Sequence, residues 1–269
     1  MVKTYLHLKN ARKTEFAPRH FALAIILAAP AAMLAQGNLD SPRIGCLLDT
    51  RGEVRTVWGL RANFVLGEVA TSGAVSTACS DAFGLVKTGD ALLVMDRTGA
   101  VLHRREVVSG AATLGFDEQG RPAFAHLRST GETLRWDGSQ WNTWNVSLEA
   151  APLAITAEGD HLLALVRRHD ELCLLRLSAD GETALLVRMV SSAGQAVIYP
   201  GGLLVLAEEH SLLIRYPDGR QQRLDVPVPV LSLHAMSSRW VSLQSEAQTM
   251  GLLLTGEQAE LHLIPGAGN

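Results

Sequence analysis

The chain has 269 residues, 47% hydrophobic and only 5% aromatic, with 24 Lys and Arg against 27 Asp and Glu and a net charge of −3. That length is enough to bury a sizeable core as one domain. An acidic balance with no Lys/Arg cluster excludes nucleic acid as a partner, because its affinity comes from neutralising phosphates.

Residues 1–35 read as a signal peptide. Lys3, Lys9, Arg12, Lys13 and Arg19 precede an apolar run from Phe21 to Ala35, FALAIILAAPAAMLA, that is rich in small residues. A basic start, a short apolar stretch and small residues at the cut are the layout of a secretory leader. Cleavage after Ala31 or after Ala35 fits that layout, and an uncleaved N-terminal anchor is the alternative. The run holds Pro30 and is shorter than the ~20 apolar residues of a membrane-spanning helix. An uncleaved leader is therefore the only route by which the sequence reaches a membrane. The expected location is the periplasm or the extracellular space. Without the leader, which carries five basic residues and one acidic residue, the net charge becomes −7.

Residues 36–42 form a loose linker, and residues 43–266 form the folded domain. Three cysteines, Cys46, Cys79 and Cys173, lie in that domain. An oxidising compartment permits one disulfide and leaves one thiol over. Cys46–Cys79 is one such pair. Cys79 and Cys173 each sit in an apolar strand context, where a buried inert thiol is the default. None has CxxC or Cys/His spacing, so the sequence supports no metal site.

From Arg43 onward short apolar runs alternate with Gly, Asp, Pro and Ser, the pattern of an all-β chain. Six hairpins recur: CLLDTRGEVRTV (46–57), LLVMDRTGAVLHR (92–104), TLRWDGSQWNTW (133–144), LLRLSADGETALLV (174–187), LIRYPDGRQQRLDV (213–226) and LLLTGEQAELHLI (252–264). Their turn glycines are Gly52, Gly99, Gly138, Gly181, Gly219 and Gly256, at intervals of 47, 39, 43, 38 and 37. Gly, Asp and Asn supply the positive φ that tight hairpins demand. Two further apolar runs precede each of the last five hairpins, such as AVSTAC (74–79) with FGLVK (83–87). Four strands at a period near forty residues make a propeller blade. The fold class is thus an all-β propeller of five to six four-stranded blades. The first strand of each unit is small and apolar, suited to the innermost position, and the last is more polar. The N-terminal hairpin either completes a sixth blade or lies outside a five-bladed ring. The segment RANFVLGEVATSG, before the first full unit, is where the pattern departs.

The hairpin LLVMDRTGAVLHR resembles the blade element of quinoprotein-type and other bacterial propellers, in which Asp and Thr-Gly form the turn before an outer strand. That pattern places a Trp after the turn, where this chain has His103. DGSQWNTW (137–144) is similar to the Asp-box of sialidase-like propellers, with a different spacing from the preceding Ser/Thr. Together these mark the chain as similar to degenerate bacterial β-propeller repeat proteins, which implies the fold and no particular cofactor.

No linear motif selects a catalytic set: HExxH, GxSxG, a P-loop and a calcium loop are all missing from the sequence. His103, His126, His161, His169, His210, His234 and His262 fall at differing places in the repeat and read as scattered rather than as a metal cluster. Glu208, Glu209 and His210 follow a strand at a turn and read as a solvated loop. Asp81, Asp117, Glu158 and Asp160 flank innermost strands and predict a weakly acidic rim. Trp136, Trp141 and Trp144 are the densest aromatic group. Alternation sends Trp141 and Trp144 to opposite faces of one strand, so one packs between blades while another is free to anchor a ligand. Asn145–Val146–Ser147 is a formal glycosylation sequon. No catalytic, cofactor or metal residue is assigned, and no cofactor is expected. The expected function is an exported, non-enzymatic module that binds a protein or ligand and has another protein or envelope component as its partner. The alternative is a periplasmic propeller enzyme (hydrolase, lyase or glycan-processing) with its site at the channel mouth.

Overall fold

The computed structural model describes residues 42–60, 63–256 and 258–267. The predicted leader lies outside the described residues, as does all of the predicted linker except Pro42. Among the described residues there are only strands, turns and loops, arranged as a propeller of six blades. The N-terminal blade has three strands: β1 (Arg43–Leu48), β2 (Val54–Leu60) and β3 (Asn63–Thr71). Five four-stranded blades follow. Blade 1 is β4 (Ala74–Cys79), β5 (Phe83–Thr88), β6 (Ala91–Asp96) and β7 (Val101–Glu106). Blade 2 is β8 (Ala112–Phe116), β9 (Pro122–Leu127), β10 (Thr133–Trp136) and β11 (Trp141–Trp144). Blade 3 is β12 (Ala154–Glu158), β13 (His161–Arg168), β14 (Glu171–Leu177) and β15 (Thr183–Val190). Blade 4 is β16 (Gln195–Ile198), β17 (Leu204–Ala207), β18 (Ser211–Arg215) and β19 (Gln221–Asp225). Blade 5 is β20 (Ser232–Ala235), β21 (Trp240–Gln244), β22 (Thr249–Leu254) and β23 (Ala259–Leu263).

Within each sheet every strand pairs antiparallel with its sequence neighbour. Turns joining strands 1–2 and 3–4 therefore gather at one end of the ring, here the hairpin end. The 2–3 turns and the blade-to-blade links gather at the other, the crossover end. A blade cannot bury two faces alone, so its neighbours bury them. Six separate clusters of buried residues occupy the six seams. Phe124 and Trp144 meet Ile155 and Leu162 between blades 2 and 3, for example, and Val205 and Leu212 meet Val241 and Leu252 between blades 4 and 5.

The innermost strands β4, β8, β12, β16 and β20 form a closed five-membered ring, with β20 lying against β4. Side-chain hydroxyls stitch these strands together. Thr156 donates to the Phe116 carbonyl at 2.8 Å, Thr113 to the Pro152 carbonyl at 3.0 Å, and Ser80 to the Gly120 carbonyl at 2.6 Å.

The N-terminal blade differs from the two strands predicted for it. RANFVLGEVATSG contributes β3, which pairs with β2 through two irregularities of register. β1 stands against β4 of the next blade, as β9 stands against β12, so β1 occupies a second-strand position. The three strands thus take positions 2, 3 and 4, and no described strand takes position 1. Gly52 accordingly turns between strands 2 and 3 at the crossover end, whereas Gly99 turns between strands 3 and 4 at the hairpin end. The two glycines are not equivalent, and this one-strand offset accounts for the long first interval.

Specific contacts hold this blade at the seam. Cys46 in β1 is bonded to Cys79 in β4, with Cα atoms 6.0 Å apart, and Cys173 is a free, buried thiol. The Cys46 amide donates to the Met236 carbonyl at 3.2 Å. A Cβ on Gly45 would stand 1.9 Å from that same oxygen, so only glycine allows the approach. Asp81, in the β4–β5 turn, accepts from the Ser238 hydroxyl at 2.6 Å, and its carbonyl accepts from Arg43 at 3.0 Å.

The polarity expected of outermost strands holds for β11, β19 and the His103–Glu106 part of β7, whose first residues Val101 and Leu102 are exposed. β15 departs from it, with Leu185, Leu186 and Val190 exposed.

Candidate functional site

Two concave regions are built from these elements. The first is the central channel, a cavity of about 270 Å³ lined by the five innermost strands and the turns at their ends. At the hairpin end its lining includes Asp117, Glu118 and Ser238; at the crossover end it includes Thr113, Arg128 and Gln195. His234 lines the middle, and burial among the inner strands pushes its imidazole down to about 4, against the smaller opposing effect of a hydrogen bond with the Thr77 backbone. The part of that ring still open to solvent faces the narrow channel rather than bulk water, so the charged form remains poorly hydrated. Burial also raises the Tyr199 phenol well above its ordinary range, and its hydroxyl donates to the Trp240 carbonyl at 2.9 Å.

The second region is a groove of about 880 Å³ at the hairpin end, running across blades 1, 2 and 3. The start of β7 and the β8–β9, β10–β11 and β12–β13 turns wall it. Leu102, His103 and Trp136 supply its apolar and aromatic surface. His103 and Trp136 sit edge-to-face at 5.1 Å, and Trp136 packs on Trp141 at 5.3 Å. Charged pairs flank the aromatics: Arg135 with Asp160 at 2.5 Å and Arg121 with Asp117 at 2.8 Å. Asp137 in the third wall accepts from the Gln140 and Ser139 amides, the Ser139 hydroxyl and the Asn142 amide. Those bonds, the Gln140 amide foremost, hold its carboxyl well below the usual range. The carboxylate is spent on shaping the turn.

The three tryptophans divide as strand alternation requires. Trp141 is buried in the seam between blades 1 and 2, Trp144 in the seam between blades 2 and 3, and Trp136 is left half-buried in the groove wall. Asp81, Asp117, Glu158 and Asp160 do gather at the hairpin end, but each is engaged. Glu158 pairs with Arg176 at 3.2 Å, and Asp81, Asp117 and Asp160 have the partners given above. The predicted acidic rim is thus a mixed rim of ion pairs.

Glu208 lies at the crossover end, bound by Arg223 at 2.6 Å and Ser211 at 3.1 Å, while Glu209 stands 3.9 Å from His210. His126 is buried beside Thr133 at 3.1 Å, and desolvation, with Arg128 adding to it, lowers it to about 4. His161 meets Arg176, and His262 packs on Trp240 and Phe64. His169 adopts φ of 55° in the β13–β14 turn. Among the described residues no three His, Cys, Asp or Glu side chains stand together in a metal-binding arrangement. Asn145 of the sequon is exposed.

Leu102, Arg121 and Arg135 of the groove, and Arg128 of the channel, are not singled out by any local sequence pattern. His103 and Trp136 lie in different blades, and only the seam between blades 1 and 2 brings them together.

No protein-family model matches the chain, and no characterised protein matches it in sequence. Solved structures do match in fold. A chain of a nidogen/laminin complex superposes with a TM-score of 0.58 at 11% identity, over 84% of this chain and 95% of that one. BBS1N in complex with ARL6DN gives a TM-score of 0.47 at 14% identity, over 84% and 81% of the two chains. Streptogramin B lyase gives 0.43 at 12% identity, over 85% of both. At 11% identity the likeness to the nidogen/laminin chain shows the propeller fold alone.

Proposed function

We propose that this chain is an exported, non-enzymatic propeller that binds a segment of a partner protein in the groove across blades 1, 2 and 3. One observation carries the reading. The groove is the larger concavity of the two, and it joins an exposed Leu102, a His103–Trp136 pair and flanking ion pairs on rigid hairpin turns. An aromatic anchor with an apolar body and a polar rim is the usual make-up of a protein-binding hot spot. The nidogen/laminin chain, which shares the fold, comes from a complex between proteins. Export is supported by the N-terminal leader pattern and by the Cys46–Cys79 disulfide, a bond that persists outside reducing compartments. The enzyme reading would need free carboxylates or histidines converging on the channel mouth, and Asp117 is already held there by Arg121.

The test is site-specific photo-crosslinking in the native host, with the photoreactive residue at Leu102 or, as a control, at Val190 on β15. A discrete adduct from position 102 that Trp136→Ala removes supports the groove. Adducts from position 190 alone would overturn it. Intact mass of the recovered protein checks export, with loss of residues 1–31 or 1–35 as the expected result.

A further inference from the structure

The channel is electrically lopsided. Its charged lining residues are Asp117 and Glu118 at the hairpin mouth and Arg128 at the crossover mouth. Arg128 follows β9, and its Nε donates to the Thr113 hydroxyl at 3.3 Å. Thr113 in turn donates to the Pro152 carbonyl at 3.0 Å. That relay fixes the plane of the guanidinium while leaving both terminal nitrogens without a hydrogen bond or ion pair to any described residue. The arginines of the groove are different, since Arg121 and Arg135 each hold a carboxylate. Gln195 lines the same mouth, and its side-chain amide also has no protein partner among the described residues. Below the mouth the lining includes Leu114, Ile155 and Leu233, whose side chains lie mainly in the blade seams, alongside Thr77, Thr156 and His234.

From these features we propose that the crossover mouth of the channel is a binding site for a small molecule bearing one carboxylate on a short aliphatic body. The free edge of the Arg128 guanidinium presents two parallel N–H donors, the geometry that a planar carboxylate accepts in bidentate fashion. The Gln195 amide donates to the carboxylate from the side. The aliphatic body enters the channel past the inner edges of Leu114, Ile155 and Leu233, where burial of apolar surface adds to the attraction. A cavity of about 270 Å³ admits a chain of a few carbons and excludes a folded polypeptide. This site is separate from the groove, so each stands or falls without the other.

The experiment is a backbone amide NMR titration of the full, disulfide-bonded chain with hexanoate, hexylamine and inorganic phosphate in turn. Saturable shifts at Thr113 and Gln195 with hexanoate, and none there with hexylamine, are expected. Arg128→Gln should weaken hexanoate binding by about tenfold or more, since it removes hydrogen bonds from a charged donor. Arg188→Gln, on the far edge of blade 3, should leave that binding unchanged. Arg128 is exposed, so its replacement should leave the thermal midpoint of the free protein where it is. The site is overturned if hexanoate gives no saturable shift, or if Arg128→Gln binds it like the wild type. It is likewise overturned if phosphate alone occupies the mouth.

Discussion

The N-terminal blade and the five blades after it solve the same problem in different ways. In the five, each sheet brings its own innermost strand, and the seam is filled by interdigitated aliphatic side chains such as Leu162, Leu175 and Ile155. Nothing at those seams depends on a covalent bond. The N-terminal blade contributes no described innermost strand, and the inner ring closes past it through β20 and β4. Its own seams do hold apolar clusters. To these are added a disulfide, a backbone approach that only glycine permits, and the Asp81 bridge between blades 5 and 1. Repetition closes most of a ring through packing and hydroxyl-to-carbonyl bonds between inner strands; the odd member is fastened by singular contacts.

The disulfide offers the largest test of that contrast. It closes a loop of 33 residues between β1 and β4. In the chain-entropy account, removing a crosslink over such a loop costs about 3–4 kcal/mol. Replacing both Cys46 and Cys79 by Ser, or adding reductant to the wild type, should therefore lower the unfolding midpoint strongly. Cys173→Ala in blade 3 removes only a small buried thiol and should cost about 1 kcal/mol. Equal losses from the two changes, measured by urea unfolding, would erase the distinction between the seams.

Gly45 is the next largest. An added methyl would meet the Met236 carbonyl oxygen, so β1 or the end of β20 must move, and the bond from the Cys46 amide to that oxygen goes with it. Gly45→Ala should destabilise by about 2–3 kcal/mol, the upper part of the range for overpacking. Gly194→Ala, between blades 3 and 4, has open space around it and should stay within about 0.5 kcal/mol of the wild type. Similar midpoints for the two variants would show that the approach at β1 relaxes freely.

The same contrast governs what was legible in the sequence. The five regular blades are readable because each repeats short inner runs and a turn rich in Gly and Asp; AVSTAC corresponds to β4 residue for residue. The N-terminal blade is not. Gly52 resembles the other turn glycines locally, yet it joins strands 2 and 3, because a lone hairpin does not carry its position in a blade. β3 is obscured by Gly67, by register irregularities and by outward-facing Val65 and Val69, which break the alternation of a half-buried strand. The candidate sites were harder still. Trp136 was visible as part of an aromatic cluster, but its partner His103 comes from another blade. The four acids of the predicted rim do share one end, but the sequence does not say which, and their neutralising arginines Arg121, Arg135 and Arg176 are invisible without pairing distances. Arg128 had no signal at all, since an arginine after a strand is ordinary and only the ring brings it to the channel.

The smallest expected effect separates His126 and His234 by where they sit. His126 and His234 are both pushed down to about 4, chiefly by burial. A folded pKa below the unfolded value of about 6.5 means that the unfolded chain binds the extra proton first. Stability from each group is therefore complete above about pH 6.5 and is lost progressively as pH falls toward 4. Each should cost about 2 kcal/mol between pH 7 and pH 5. His126 lies within blade 2, bonded to Thr133 of its own sheet, whereas His234 of blade 5 reaches Thr77 of blade 1 across the closure. The Thr77 contact itself favours the charged ring, but the burial that closure imposes on His234 outweighs it, so protonation of His234 opposes ring closure. In a His126→Gln background the remaining acid sensitivity should grow when the Cys46–Cys79 bond is also removed, because both then act on the same closing seam. In a His234→Gln background removal of the bond should leave the acid sensitivity as it was. Thermal melts of these four proteins at pH 5 and pH 7 decide it. Identical pH dependence with and without the disulfide in both backgrounds would place the titrating histidines away from the closure.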